Sequence, residues 1–483
     1  MKLNIAVKSI VIALFTFSSI SCSDFLDTKP STSVGDEEAF KTYVNAKASL
    51  IGTYDQLSSY AFDGLYVPIM GDLMGEDVML DAEDNWGWFV AVYQQNVLPN
   101  YTWVSSPWVL GYKIIYDANQ IIDKAVHIEN ITESERAELE SQARIMRAYV
   151  NLKLIQMYAP AVSVAPEHPG ILHAIKPLVY GDEDQGRVST SVIYDLIVSD
   201  LTSAISLIDQ YDLEYGQDAT KFFGKRAAHA VLARAYLNLE EWNLALDHAA
   251  LARKDMELMT INDITSGFMS PNRETIFSIA YTSDDNNIYL SLPSFYFPAS
   301  GYSSIRIDSA FVNHFPTGDR RRTMLLKEYQ FTPDFGLKDD KHMTFKFRHN
   351  GKIGNAERIA IRAGEMLLIE AECEAELGNS SRAQDLLLEI QKNAYPGAIR
   401  SKNTGEALVN EILLERRKEL YGEGFRWNDI VRRNLPVKRS DDHWVEADFG
   451  PEDQEYYKMT FPIPQREIDV NEALTDADQN PGY

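Results

Sequence analysis

The sequence predicts a mainly α-helical fold: tetratricopeptide-like helix hairpins stacked into a right-handed superhelix, with an irregular, loop-rich subdomain that contains short β-strands. Two related stretches carry the prediction. Ala230 to Ala252 (AVLARAYLNLEEWNLALDHAALA) and Met366 to Ile390 (MLLIEAECEAELGNSSRAQDLLLEI) each read as a helix closing on Leu, a tight turn and an Ala-rich return helix. Small Ala side chains let such helices approach closely. A third observation is the break in this pattern over Met256 to Ile353, which holds Pro271, Pro293, Pro298, Pro316 and Pro333 and few helical runs.

In chain order, residues 1–21 read as an export leader. Lys2 and Lys8 form a positive start, Ile10 to Phe17 an apolar run too short to span a bilayer, and Ser18, Ser19 and Ser21 a small-residue approach to Cys22. Cleavage before Cys22 would expose its thiol for lipidation, although Ser19 stands where a lipobox usually has Leu. An ordinary secretory cleavage after Ser19 or Ser21 is the alternative. Residues 22–483 then read as one domain. Its helical scaffold is expected over about 37–60, 108–255 and 356–435, its ligand-facing loops over about 62–106 and 256–353, and a C-terminal extension over 436–483.

Within the scaffold, Glu37 to Ser59 predicts a helix with Phe40, Val44, Ala48 and Ile51 on its apolar face. Trp108 to Val126 repeats the pattern with Tyr112, Ile115, Tyr116, Asn119, Ile122 and Asp123. Thr132 to Tyr158 has Thr132 as cap, Glu135 completing a capping box and Pro160 as a stop, and should pair with Ser191 to Ile208. Arg226 to Leu239 should pair with Glu241 to Arg253, and Arg358 to Leu377 with Ser381 to Asn393. Thr275 to Tyr281 and Thr344 to Phe347 are β-prone. In Leu413 to Arg433 (LLERRKELYGEGFRWNDIVRR) an amphipathic helix breaks at Gly422 and Gly424, then Phe425, Trp427 and Ile430 open a second apolar surface. Arg416, Glu419, Glu423 and Arg426 are expected to form an ion-pair cluster that fixes this corner. A catalytic role for Glu419 or Glu423 is the competing reading.

The charge excludes some functions. The 483-residue chain has a formal charge of −25, and without Lys2 and Lys8 it carries 44 basic against 71 acidic residues. Such a surface repels phosphate backbones and anionic headgroups, so nucleic acid is not an expected partner. Cys373, the only cysteine besides Cys22, sits in an apolar helical pattern as a small buried hydrophobe. None of the nine His lies in an HExxH string, and GxSxG, P-loop and CxxC motifs are absent from the sequence. With 71 acids, chance carboxylate pairs give no glycosidase signature. Glu76, Asp77, Asp81, Glu83 and Asp84 lack EF-hand spacing and read as a solvated face. A binding protein without catalytic residues, metal or cofactor is the reading, with a purely structural helical-repeat adaptor as another.

The strings CSDFLDTKP (Cys22 to Pro30), SQARIMRAYVNLKLIQMYA (Ser141 to Ala159), RIAIRAGEMLLIEAEC (Arg358 to Cys373), RRKELYGEGFRWNDIVR and PIPQREIDVNEALTDADQNPGY (Pro462 to Tyr483) resemble the SusD/RagB family of surface lipoproteins. The resemblance implies an outer-membrane lipoprotein of Bacteroidota, lipidated at Cys22. It would act as a lid on a SusC-type TonB-dependent transporter, capturing oligosaccharide or, as in RagB, peptide. Asp24 and Asp27 are similar to acidic signals for surface display.

A glycan ligand needs aromatic faces, because the C–H face of a pyranose packs on a ring while its hydroxyls bond nearby polar groups. Two loop segments offer that chemistry. The first supplies Asn85, Trp86, Trp88 and Tyr93; the second supplies Tyr289, Tyr296, Tyr302 and Arg306. Trp86 and Trp88 flank Gly87 in a polar context that suggests an exposed loop, whereas Trp103 and Trp108 read as core. For each loop aromatic, burial as an anchor against the scaffold is the competing expectation.

Overall fold

The computed structural model describes residues 36–178, 182–214, 216–298, 301–327, 342–349 and 352–483. The expected leader, the Cys22 lipidation site, Asp24 and Asp27 lie outside the described residues.

The fold is mainly α, with small antiparallel sheets. Long helices pack in sequence order: Tyr43–Ser58 on Thr102–Lys124, then Glu133–Tyr158, Thr190–Tyr211, Lys225–Asn238, Trp242–Arg253, Ala363–Glu376 and finally Ser380–Ala394 with Gly405–Leu420. The capping box that starts the helix at Glu133 has both halves. Glu135 N–H donates to Thr132 Oγ1 at 3.2 Å, and Thr132 N–H donates to Glu135 Oε2 at 2.9 Å. Close approach in the hairpins rests on Ala: Ala230, Ala233, Ala245, Ala249, Ala371 and Ala383 are fully buried. Cys373 is buried among them, and burial pushes its thiol up.

Buried bidentate Arg–carboxylate pairs stitch neighbouring helices together. Arg147 meets Asp200 at 2.6 and 2.7 Å, Arg234 meets Glu365 at 2.6 and 2.7 Å, and Arg432 meets Glu372 at 2.6 and 2.9 Å. Thr190–Tyr211 is long and apolar enough to cross a bilayer, yet its Asp200 lies in the first of these pairs and its apolar face packs in the layer.

The structure corrects several expectations about elements. The helix Tyr43–Ser58 buries Ala46, Leu50, Thr53 and Leu57; of the predicted face Val44, Ala48 and Ile51 point to solvent, Val44 71% and Ile51 50% exposed, while half-buried Phe40 precedes the helix and packs on the core. Both faces are apolar, and periodicity alone could not choose between them. Residues 62–106 contain a helix, Tyr66–Leu73, in which every residue is buried. Arg358–Arg362, expected to open a helix, is a strand paired antiparallel with Thr275–Ile279; β-branched Ile359 and Ile361 suit it, and the helix begins at Ala363. The β-prone Thr344 to Phe347 contributes only its first residue, to the strand His342–Thr344.

The predicted corner exists, with different partners. Gly422 and Gly424 take φ of +77° and +88°, the left-handed region that Gly adopts without steric cost. A Cβ on Gly424 would lie 2.5 Å from Pro68 Cα, which shows how closely this turn docks on the buried helix. Glu419 and Glu423 converge on Arg362, at 2.9 Å and at 2.8 and 2.9 Å, a residue the sequence reading had not singled out. Arg321 bonds Glu419 and Glu415, and Lys346 bonds Glu423. Arg416 pairs instead with Asp429, and Arg426 with Glu76. Burial alone would raise Glu419, but Arg362 and Arg321 outweigh it and hold the carboxyl at about 2. The acids on this corner are fixed in ion pairs with Arg and Lys, the arrangement of a structural brace.

Candidate functional site

The two loop segments singled out from the sequence meet. A four-stranded antiparallel sheet joins them in the order Val78–Leu80, Ile305–Ile307, His342–Thr344, Leu325–Lys327. Leu80 pairs with Ile305 and Asp81 N–H donates to Ser304 O at 2.8 Å, so the loops leaving these strands emerge side by side. Beyond the strand the chain makes a tight polar turn. Asp81 Oδ1 accepts from the N–H groups of Glu83 and Asp84 at 2.9 and 2.8 Å, and Asn85 Nδ2 donates to the carbonyls of Asp81 and Ala82 at 2.9 and 3.0 Å. Asn85 Oδ1 then accepts from Gly87 N–H at 2.9 Å.

The turn lifts Trp86 out of the molecule, 70% exposed. Its ring centroid lies 6.4 Å from that of Tyr302 on the other loop. Tyr302 also meets Trp88 at 5.7 Å, Tyr289 at 6.1 Å and Phe295 at 5.0 Å. Tyr289 is 52% exposed, Tyr302 and Trp88 are half-buried, and Phe295 is fully buried. Trp88 continues inward to Trp103 at 5.7 Å, which packs at a tilt against buried Phe89 at 4.7 Å. The result is one aromatic cluster that grades from solvent to core, its outer face made by Trp86, Tyr289 and Tyr302.

The backbone beneath this face is unusual. Trp86 and Phe89 on the first loop, and Ile288 and Ser303 on the second, have φ of +56°, +56°, +47° and +45°. A β-branched Ile in the left-handed region is strained, and such strain concentrates at binding sites. It sits next to Tyr289.

The remaining predicted residues have other roles. Tyr93 is fully buried; its hydroxyl bonds His443 Nδ1 at 2.8 Å and Arg439 lies 4.4 Å over its ring. Tyr296 is fully buried and donates to Asp72 Oδ2 at 3.3 Å. Arg306 is 2% exposed and pairs with Asp81 at 3.3 Å, so it positions the turn instead of meeting a ligand. Asn85 spends its side-chain amide on the turn. The acidic run is also corrected: Asp77 and Asp81 are buried and Glu76 pairs with Arg417 and Arg426, leaving Glu83 and Asp84 at the surface.

The sequence reading missed Trp444. Its indole N–H donates to Leu80 O at 2.7 Å, and its ring stays 38% exposed beside the same turn. A lone Trp in the charged stretch Asp441 to Glu446 was the available signal. A cleft of about 410 Å³ lies elsewhere, between residues such as Ala161, Val164 and His168 and the C-terminal Tyr456, Tyr457 and Pro481. Among the described residues no group of three or more His, Cys, Asp and Glu is arranged to hold a metal.

Comparison with known proteins agrees with this architecture. Residues 328–483 match the model described as SusD family, and residues 24–237 match a SusD-like model described as starch-binding associating with outer membrane. The SusD-like protein P25 of Formosa agariphila is 22% identical across 99% of both chains, and SusD-like protein P38 of the same organism is 24% identical over 86% of this chain and 89% of its own. A SusD superfamily protein from Bacteroides vulgatus superposes with a TM-score of 0.81 at 23% identity, covering 92% of this chain and 99% of its own. A SusD-like carbohydrate binding protein from the same species gives 0.78 at 24% identity over 90% and 98%. With family models matching at both ends of the chain and the same helical architecture between them, this protein belongs to the SusD/RagB family.

Proposed function

We propose that the chain binds oligosaccharide or polysaccharide on the Trp86, Tyr289 and Tyr302 face and delivers it to a SusC-type TonB-dependent transporter, for which it acts as the lid. Acylation of Cys22 tethers it to the outer membrane, facing outwards. The observation that carries the glycan reading is the convergence of loops more than 200 residues apart on one exposed aromatic face. Rings at that spacing offer successive flat surfaces to a sugar chain, and the exposed carboxylates of Glu83 and Asp84 can accept hydrogen bonds from its hydroxyls. The descriptions of one matched family model as starch-binding and of one structural neighbour as carbohydrate binding support the same reading. The chain works by binding alone, without bond cleavage.

The test is calorimetric titration of soluble protein lacking residues 1–22 against panels of polysaccharides and peptides. Binding of a glycan without release of reducing sugar is expected. Binding of peptides alone replaces this reading with a RagB-like peptide lid, and release of reducing sugar replaces it with an enzyme. For the lid role, detergent extraction from the native membrane should co-purify the protein with a large β-barrel. Isolation with soluble partners only supports the adaptor instead.

A further inference from the structure

We infer, resting on the glycan reading above, that the aromatic face accepts uncharged glycans and rejects chains bearing carboxylate or sulfate groups. The selectivity comes from the rim. The buried Asp81 holds the backbone N–H groups of Glu83 and Asp84, and both of those side chains stand exposed in the turn that presents Trp86. Asp84 is two residues from Trp86, so their Cα atoms are at most about 7.6 Å apart. That separation is inside the Debye length of about 8 Å at physiological ionic strength. On the second loop Asp284 stands exposed ahead of Ile288 and Tyr289, whereas Asp285 turns its carboxyl to Asp55.

Several cations come near these loops among the described residues, and Arg439 and Arg348 lie over the rings of Tyr93 and Phe297. Arg306 is buried and paired with Asp81 at 3.3 Å, so its charge is compensated within the turn. Lys352 is exposed, and its segment approaches the second loop where a Cβ on Gly354 would lie 2.6 Å from Ile288 N. Among the described residues Glu83 and Asp84 are in no ion pair, so the turn that presents Trp86 is negative, within a molecule whose formal charge is −25. A neutral pyranose stacked on Trp86 meets carboxylates that accept from its hydroxyls. A uronate or sulfate in the same place meets the like charge of Glu83 and Asp84, and each such contact is repulsive.

The experiment titrates the soluble protein lacking residues 1–22, its Glu83→Gln/Asp84→Asn double variant and its Trp86→Ala variant. The probes are mixed-linkage β-glucan, galactomannan, arabinoxylan and dextran as neutral polymers, and polygalacturonate, alginate and dextran sulfate as anionic ones, each at 20 and 300 mM NaCl. We expect at least one neutral polymer to bind and the anionic ones to be excluded at low salt. In the double variant, the ratio of anionic to neutral affinity should rise about fivefold at low salt, and an unchanged ratio overturns the role of the rim. Tight binding of an anionic polymer by the unaltered protein, lost in Trp86→Ala, overturns the selectivity but leaves the aromatic glycan site standing. Binding to neither class overturns both.

Discussion

Trp86, on a turn, and Tyr93, in the short helix Val90–Tyr93 that follows it, have opposite fates. Trp86 carries its ring into solvent on a left-handed backbone, whereas Tyr93 is sealed under Arg439. Trp86→Ala is therefore expected to weaken glycan binding at least tenfold with the melting temperature unchanged, while Tyr93→Ala should lower the melting temperature by several degrees, as thermal melts beside titrations will show. Of the candidates read from sequence, Trp86 and Tyr289 stand exposed with half-buried Tyr302 between them, and Gly87 with its polar neighbours marks the projecting turn at Trp86. Tyr93 and Tyr296 differ from them because each ends a short helix, Val90–Tyr93 and Leu292–Tyr296, that turns its hydroxyl to buried His443 or Asp72, and neither helix was expected from sequence. Asp72 gives a second test. Burial, opposed in part by the Gly424 N–H, pushes its carboxyl up to about 8, so the folded state holds this proton more tightly than the unfolded chain. Stability is then lost as pH rises from about 4 to about 8. Asp72→Asn removes that slope, and urea unfolding from pH 5 to 8.5 should show the variant gaining on the parent as pH rises. Parallel curves would contradict it.

At the scale of elements, the corner at Gly422 to Arg426 braces the loops to the helical layer. Glu419 neutralises two buried guanidiniums, Arg362 and Arg321, and Glu419→Gln leaves both short of a partner. A loss of about 3–5 kcal/mol in chemical denaturation is expected. Because the folded carboxyl is held at about 2, its contribution is complete above the ordinary Glu value near 4.5 and fades as pH falls toward 2. Gly424→Ala combines a left-handed backbone with contact on Pro68, and should cost about 2 kcal/mol or more in the same assay. Element existence was legible where caps and Ala-rich hairpins spelled it out, as at Thr132 and in the Lys225–Asn238 and Trp242–Arg253 pair. Facing and partners were less so. Val44 and Ile51 form as good an apolar stripe as Leu50 and Leu57, and only packing against Thr102–Lys124 decides which is inside. Arg362 was invisible for a similar reason, since its three carboxylate partners come from two distant segments.

At the scale of the whole molecule, a helical layer held by buried Arg–carboxylate pairs carries two loops whose strands register side by side, and that register creates the aromatic face. The family was legible because its strings are spread along the chain. The ligand was not, because ring spacing and rim charge arise only once Leu80 pairs with Ile305. The most direct test of the central claim is the affinity of a Trp86→Ala/Tyr302→Ala double variant, measured by calorimetry on the soluble protein with whichever glycan the parent binds. One residue is removed from each loop. The account predicts affinity reduced about a hundredfold or more in a double variant that keeps the parent's circular dichroism and cooperative unfolding. Unchanged affinity in the folded double variant would contradict it.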